Sequence, residues 1–177
     1  MASVNYNYQV PFVSQGSDNT ACWVACVAML MHHKEGQLSR KRPSAELCTM
    51  FRQYVAGKGL TINGTIQPQQ IPTLANIMGL RYSVGSPALT KLATAMAVSP
   101  VAIFGNYHQS PGAGLMHATL AYKLKGNTAS PIDLYIRGYD PQGSEPGTPY
   151  KYDFLSFHDP TMPALSILKR SDYMLYC

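Results

Sequence analysis

A chain of 177 residues with 46% apolar and 13% charged side chains is long enough for one full hydrophobic core and too apolar to be disordered. The formal charge of +5 is moderate, and its dense run, Arg40–Lys41–Arg42, has no interleaved aromatics, which argues against a nucleic-acid surface. Nothing approaches the roughly 20 apolar residues of a membrane span, and the stretch from Met1 to Tyr8 is too polar for a secretory signal.

Taken in order, Val4–Val13 reads as an edge strand or extended arm, since Pro11 cannot donate to a central ladder. Gly16 to Thr20 are turn formers, and an apolar run begins abruptly at Cys22. Asp18, Asn19 and Thr20 are all N-cap types, so a helix is expected to start near Thr20 and run to Lys34 or Glu35, with Gly36 just past its end. From Cys22 to Met31 every face is apolar, the pattern of a helix buried on all sides. Cys22 then falls in the first turn, where outward-pointing N–H groups and the positive end of the helix dipole favour a thiolate.

Ser44–Ala56, with Ser44 as cap, repeats apolar residues at three- and four-residue steps and reads as a second helix, stopped by Gly57-Lys58-Gly59. A turn at Asn63-Gly64 and a loop over Gln67–Gln70 follow. Then come a short helix Ile71–Met78 ended by Gly79, a strand Arg81–Val84, and a helix Thr90–Val98 closed by Ser99-Pro100. Strands are expected at Val101–Phe104, Leu115–Leu124, Ile132–Tyr139, Tyr150–Phe157 and Ile167–Tyr176, and Lys125–Pro131 has hairpin length. Helices first and antiparallel strands after make an α+β fold. It is a single domain over residues 1–177, its central buried helix packed on a C-terminal sheet, with a cleft where the halves meet.

The four cysteines, Cys22, Cys26, Cys48 and Cys177, contain no CxxC pair and no zinc spacing, so no metal and no cofactor are expected. Cys22 and Cys26 lie four apart on one helix, where disulfide geometry is poor; free thiols and a reducing site of action fit best. A reactive thiol needs a base within reach and a third group to orient that base. His32 and His33 stand at the far end of the helix of Cys22, while His108 in a glycine-rich loop and His158 near a turn suit a surface. His117 follows a Pro-Gly-Ala-Gly loop and enters an apolar strand, the place for a general base at a cleft rim. Asp140 ends the strand before Pro141, and a hairpin would set it beside His117 although 23 positions separate them. Asp133 is at the wrong end of that hairpin, and Asp153 and Asp159 lie elsewhere. Each residue also has a bland reading: Cys22 as a small buried hydrophobe, His117 as a satisfied core histidine, Asp140 as a turn former.

Val-Pro-Phe-Val-Ser-Gln over residues 10–15, Ala21-Cys22-Trp23 and Gly138-Tyr139-Asp140-Pro141 together resemble the papain-like cysteine protease superfamily. The likeness is closest to its compact bacterial branches, the double-glycine leader peptidases and the effector or toxin proteases delivered into other cells. The chain departs from the family pattern in two places: the Gln15–Cys22 interval is one residue longer than in papain, and Leu115-Met116 precede His117 where a glycine often stands. The resemblance implies a Cys22–His117–Asp140 triad, with the Gln15 amide and the Cys22 N–H holding an oxyanion. It further implies an endopeptidase cutting a protein substrate at or near glycine. It also implies an effector or toxin domain without a classical signal peptide, acting in the cytoplasm of a target cell. A cognate immunity or inhibitor protein over the cleft is then the expected partner, with no nucleic acid and no membrane. Two alternatives share the order Cys-His-Asp or the fold: a transglutaminase-like or glutamine deamidase toxin, and a housekeeping leader peptidase. A catalytically dead binding module would not need the whole triad, and the Asp-Cys pair of the usual cell-wall hydrolases is missing.

Overall fold

The helix Cys22–Lys34 (α1) has no polar face, and residues Cys22 to Leu30 are accordingly at most 2% exposed. The computed structural model describes residues 3–36, 44–85, 89–107, 115–127, 129–130, 133–142, 149–153 and 170–177. In chain order the other elements are β1 (Ser3–Asn7), α2 (Ser44–Gly57), a 3-10 turn (Pro68–Gln70), α3 (Ile71–Met78), β2 (Arg81–Val84) and α4 (Leu89–Met96). They are followed by β3 (Val101–Tyr107), β4 (Leu115–Asn127), β5 (Tyr135–Tyr139), β6 (Pro149–Asp153) and β7 (Arg170–Tyr176). The fold is mixed α+β, as the sequence suggests.

One antiparallel sheet holds the seven described strands, six of them in the order β2-β7-β3-β4-β5-β6 and β1 off that path, paired with β4. The long strand β4 pairs with β3 through Ala121 and then with β1 from Lys123 to Asn127, along the same edge. Residues alternate between two cores, as a pleated strand buried on both faces requires. Ala102, Phe104, Ala118, Leu120 and Leu175 join the core of α1, α2 and α3. Val101, Ile103, Ala121 and Met174 join a second core with Leu92, Ala95 and Met96 of α4. The expected division into a helical half and a strand half is therefore only approximate. β1 and β2 enter the sheet from the first half, and α4 covers the face that α1 does not.

Several boundaries move for identifiable reasons. α1 begins at Cys22 with Ala21 as its cap, and no side chain caps it. Asp18 and Thr20, two of the three candidate caps, bond to each other instead: the Asp18 carboxylate accepts the Thr20 N–H at 2.8 Å and the Thr20 hydroxyl at 2.6 Å. The 67–70 loop contains the 3-10 turn, held by reciprocal bonding of the Gln67 and Gln70 side chains and backbones. α2 is one residue longer than expected and α4 runs Leu89–Met96, while α3 ends at Gly79 as expected, in the left-handed conformation (φ 60°). β3 and β4 each extend three residues further. β5 starts at Tyr135, because Asp133 donates its N–H back to the Ser130 carbonyl in a turn. The sequence readings at residues 40–42, 108–114, 131–132, 154–159 and 167–169, including His108, His158 and Asp159, lie outside the described residues. No described helix is long and apolar enough to cross a membrane.

Candidate active site

The β4–β5 hairpin brings a base and an acid together. Its register pairs Leu120 with Tyr139, so Asp140, one residue past β5, arrives beside the start of β4. His117 Nε2 lies 2.9 Å from Asp140 Oδ1. The same oxygen accepts the Gln142 N–H at 3.0 Å, an Asx turn that fixes the carboxylate where Pro141 bends the chain. The Pro141 carbonyl in turn accepts the Gln15 N–H at 3.0 Å, tying the segment that leads into α1 to the acid turn. From the other side α1 packs on β3 and β4 and delivers Cys22 to the His117 ring, with which it is hydrogen-bonded. Three of the four residues singled out in the sequence thus form one chain of contacts: thiol, imidazole, carboxylate.

The fourth is close by in a different sense. Gln15 is 3% exposed, its backbone is anchored to Pro141, and its side-chain Oε1 is buried without a hydrogen-bond partner. A buried amide atom left unmatched costs about 1–3 kcal/mol. Rotation of the amide exchanges its oxygen and nitrogen, so the vacant position can face a ligand with either an acceptor or an NH2 donor.

Burial alone would lower the pKa of His117. Hydrogen bonds to Asp140 and Cys22, reinforced by the charges of both, outweigh it and raise the value to about 9. With Nε2 committed to Asp140, Nδ1 is the ring atom left to exchange a proton with the thiol. Burial, and then the charges of Cys22 and Asp140, push Cys26 well above an ordinary cysteine, and burial pushes Cys48 up to about 11. Cys177 is raised by burial as well, and all four cysteines are free. Of the other histidines, His33 sits at the far end of α1, its ring edge-on to Tyr8 at 5.2 Å.

The residues missed in the sequence are those that brace the loop between Gln15 and Cys22. Arg52 of α2 donates to Asp18 Oδ2 at 3.0 Å and to the Thr20 hydroxyl at 3.1 Å, with its guanidinium 5.6 Å from the Trp23 ring centroid. Trp23 also donates its indole N–H to the Gly64 carbonyl at 3.2 Å. The aromatic after the cysteine, noticed as part of a motif, is thus the anchor that fastens the first turn of α1 to the Asn63-Gly64 turn. Phe12 and Tyr122 both pack on Tyr139, the residue before the acid, at centroid distances of 5.3 and 4.7 Å. Phe12 and Tyr139 were visible in the resembling segments, but Arg52 lies on a helix face with no local signal. Among the described residues no group of three or more His, Cys, Asp or Glu side chains could hold a metal ion.

No protein-family model matches the chain, and a comparison with curated proteins finds no match either. The assignment of a role therefore rests on the chemistry of the site.

The raised His117 value has a sign that can be measured. A histidine bound more tightly to its proton in the folded state stabilises the fold fully below its unfolded value of 6.5, and that contribution disappears as pH rises through about 9. The wild type should lose thermal stability relative to His117→Gln between pH 6.5 and 9, and the two should run parallel below pH 6. Melting curves across that range check it; parallel curves throughout would mean that the imidazolium is not held.

Proposed function

We propose that this chain is a cysteine endopeptidase of the papain-like superfamily. The observation that carries the reading is the His117 ring held between the Cys22 thiol and the Asp140 carboxylate at 2.9 Å, with its pKa raised to about 9. The Cys22 proton passes to His117, leaving a thiolate beside an imidazolium whose charge and tautomer Asp140 maintains. The thiolate attacks the carbonyl carbon of the substrate, and the resulting oxyanion is received by the Cys22 N–H, which points out of the first turn of α1, and by the Gln15 amide. His117 then protonates the departing amine, and the acyl group stays on Cys22 as a thioester. Water, giving its proton to His117, attacks the thioester and releases the carboxylic acid and the free thiol.

The biological setting that best accommodates this chemistry is an effector or toxin domain that cuts a protein of a target cell at or near glycine. Support comes from the segments around Gln15, Cys22 and Asp140 and from four free cysteines, which suit a reducing compartment. A protective partner over Cys22 would follow. Incubating the pure protein with a target-cell lysate and mapping new N-termini tests the reaction. New termini that are absent with Cys22→Ala are expected. A one-dalton gain on glutamine without new termini would instead assign a deamidase. Expression in a bacterial cytoplasm tests the setting: wild type should stop growth and Cys22→Ala should not, whereas harmless expression of an active enzyme would favour a processing peptidase.

A further inference from the structure

On β4 and β5, well along the strands from His117, Lys123, Lys125, Gly126, Asp133, Tyr135 and Arg137 line a cavity of about 360 Å³. Lys123 is six residues beyond His117 on β4, which at a strand rise of about 3.3 Å places the cavity about 20 Å from the triad. The ladder gives its charges an unusual order. Lys123 stands directly opposite Arg137, so two basic positions face each other across adjacent strands. The next row pairs Lys125 with Tyr135, which is 43% exposed. Directly opposed residues share a sheet face with Cβ atoms about 4.5–5.5 Å apart, and like charges so placed are destabilising. Sheet surfaces normally avoid that cost by alternating signs. Here the lining offers three cations to one carboxylate, Asp133. Neither the Arg52–Asp18 nor the His117–Asp140 ion pair includes a residue of this cavity.

Two cations set opposite each other become favourable neighbours once an anion of matching spacing lies across them. Charge-assisted hydrogen bonds from lysine and arginine to phosphate oxygens are among the strongest available at a surface. Neighbouring strands are about 4.8 Å apart, so two adjacent cations can grip two anionic groups of one molecule, which a single phosphate would not span. Cavities from about 300 Å³ upward hold small ligands, and the exposed Tyr135 ring offers an apolar platform beside the charges. We infer that this cavity of the β4–β5 hairpin is a binding site for a small molecule bearing at least two linked phosphate groups. The site is independent of the proposed peptidase chemistry.

Isothermal titration of the full chain carrying Cys22→Ala, with pyrophosphate as the probe at low salt, tests this. Saturable one-to-one binding is expected, at least about tenfold tighter than that of inorganic phosphate and at least about tenfold weakened by Lys123→Gln/Arg137→Gln. The double variant relieves a repulsion, so without ligand it should melt no lower than its parent, and pyrophosphate should raise the melting temperature of the parent alone. Lys125→Gln provides a second, single-site reading with a smaller loss. Absence of saturable pyrophosphate binding, or equal binding by parent and double variant, would overturn the inference. So would tighter, competing binding of a single-stranded oligonucleotide or of phosphatidylserine vesicles. Because every arm uses a chain without the nucleophile, its outcome is separate from that of the peptidase assay.

Discussion

Cys22→Ala should abolish cleavage altogether while lowering the melting temperature by only a few degrees. The side chain is 2% exposed, so the loss of sulfur leaves a small void costing about 1 kcal/mol, comparable with removing one buried methylene. In a chain of this size that corresponds to about 2–4 °C. Cys26→Ala removes an equally buried sulfur one helical turn away and should leave turnover nearly intact, because burial and the nearby charges keep that thiol protonated. Alkylation sharpens the distinction. Ranked by exposure, one equivalent of iodoacetamide would modify Cys177 first, since it is the half-exposed one of the four. It should nevertheless modify Cys22 first, because burial raises Cys26, Cys48 and Cys177 while Cys22 shares a hydrogen bond with the His117 ring. His117→Ala should remove that preference. Peptide mapping that finds Cys177 labelled first in the wild type would show that no ion pair forms, and equal loss of activity from both cysteine variants would mean that Cys22 is not the nucleophile.

What the sequence made legible follows from how local each signal is. The apolar run Cys22–Met31 could only be a buried helix, and the periodic segments 44–56 and 71–78 gave helices with bounds correct within a residue. The His117–Asp140 pair was legible because a single hairpin forms it: once 115–124 and 132–139 are antiparallel neighbours, Asp140 must return towards the start of β4. What was not legible depends on distant chain. Asp18 looks like a cap, but the cap position fell to Ala21 because Asp18 closes its own turn and meets Arg52, 34 residues further on. The anchoring of Gln15 to Pro141 joins segments more than a hundred residues apart, and no short-range pattern announces it. The second core under α4 was also hidden, since Leu92, Ala95 and Met96 do not reveal which face of the sheet they will meet.

Gly126→Ala should be the most damaging single-methyl change in the hairpin that carries both His117 and Asp140. A β-carbon built on Gly126 would lie 1.9 Å from the Asp133 carbonyl oxygen, 2.8 Å from its carbon and 2.9 Å from the Leu134 Cα, all of them backbone. No rotamer change relieves such an overlap, so the strands must separate. The residue also has φ 140°, a conformation that side chains rarely adopt and that adds about 1–3 kcal/mol. Displacing this end of β5 pulls Leu134 and Ile136, both fully buried, out of the core against α4. A total of about 3 kcal/mol or more follows, which lowers the melting temperature by roughly 10 °C in a chain of this length. Gly57→Ala is the control: it ends α2, has no left-handed φ and meets nothing within 4 Å, so it should leave stability unchanged or slightly improved. Thermal unfolding of the two variants beside the wild type decides the matter. If Gly126→Ala melts within 2 °C of the wild type, the two strands do not approach as described. The register that pairs Leu120 with Tyr139, and with it the contact of His117 and Asp140, would lose its foundation.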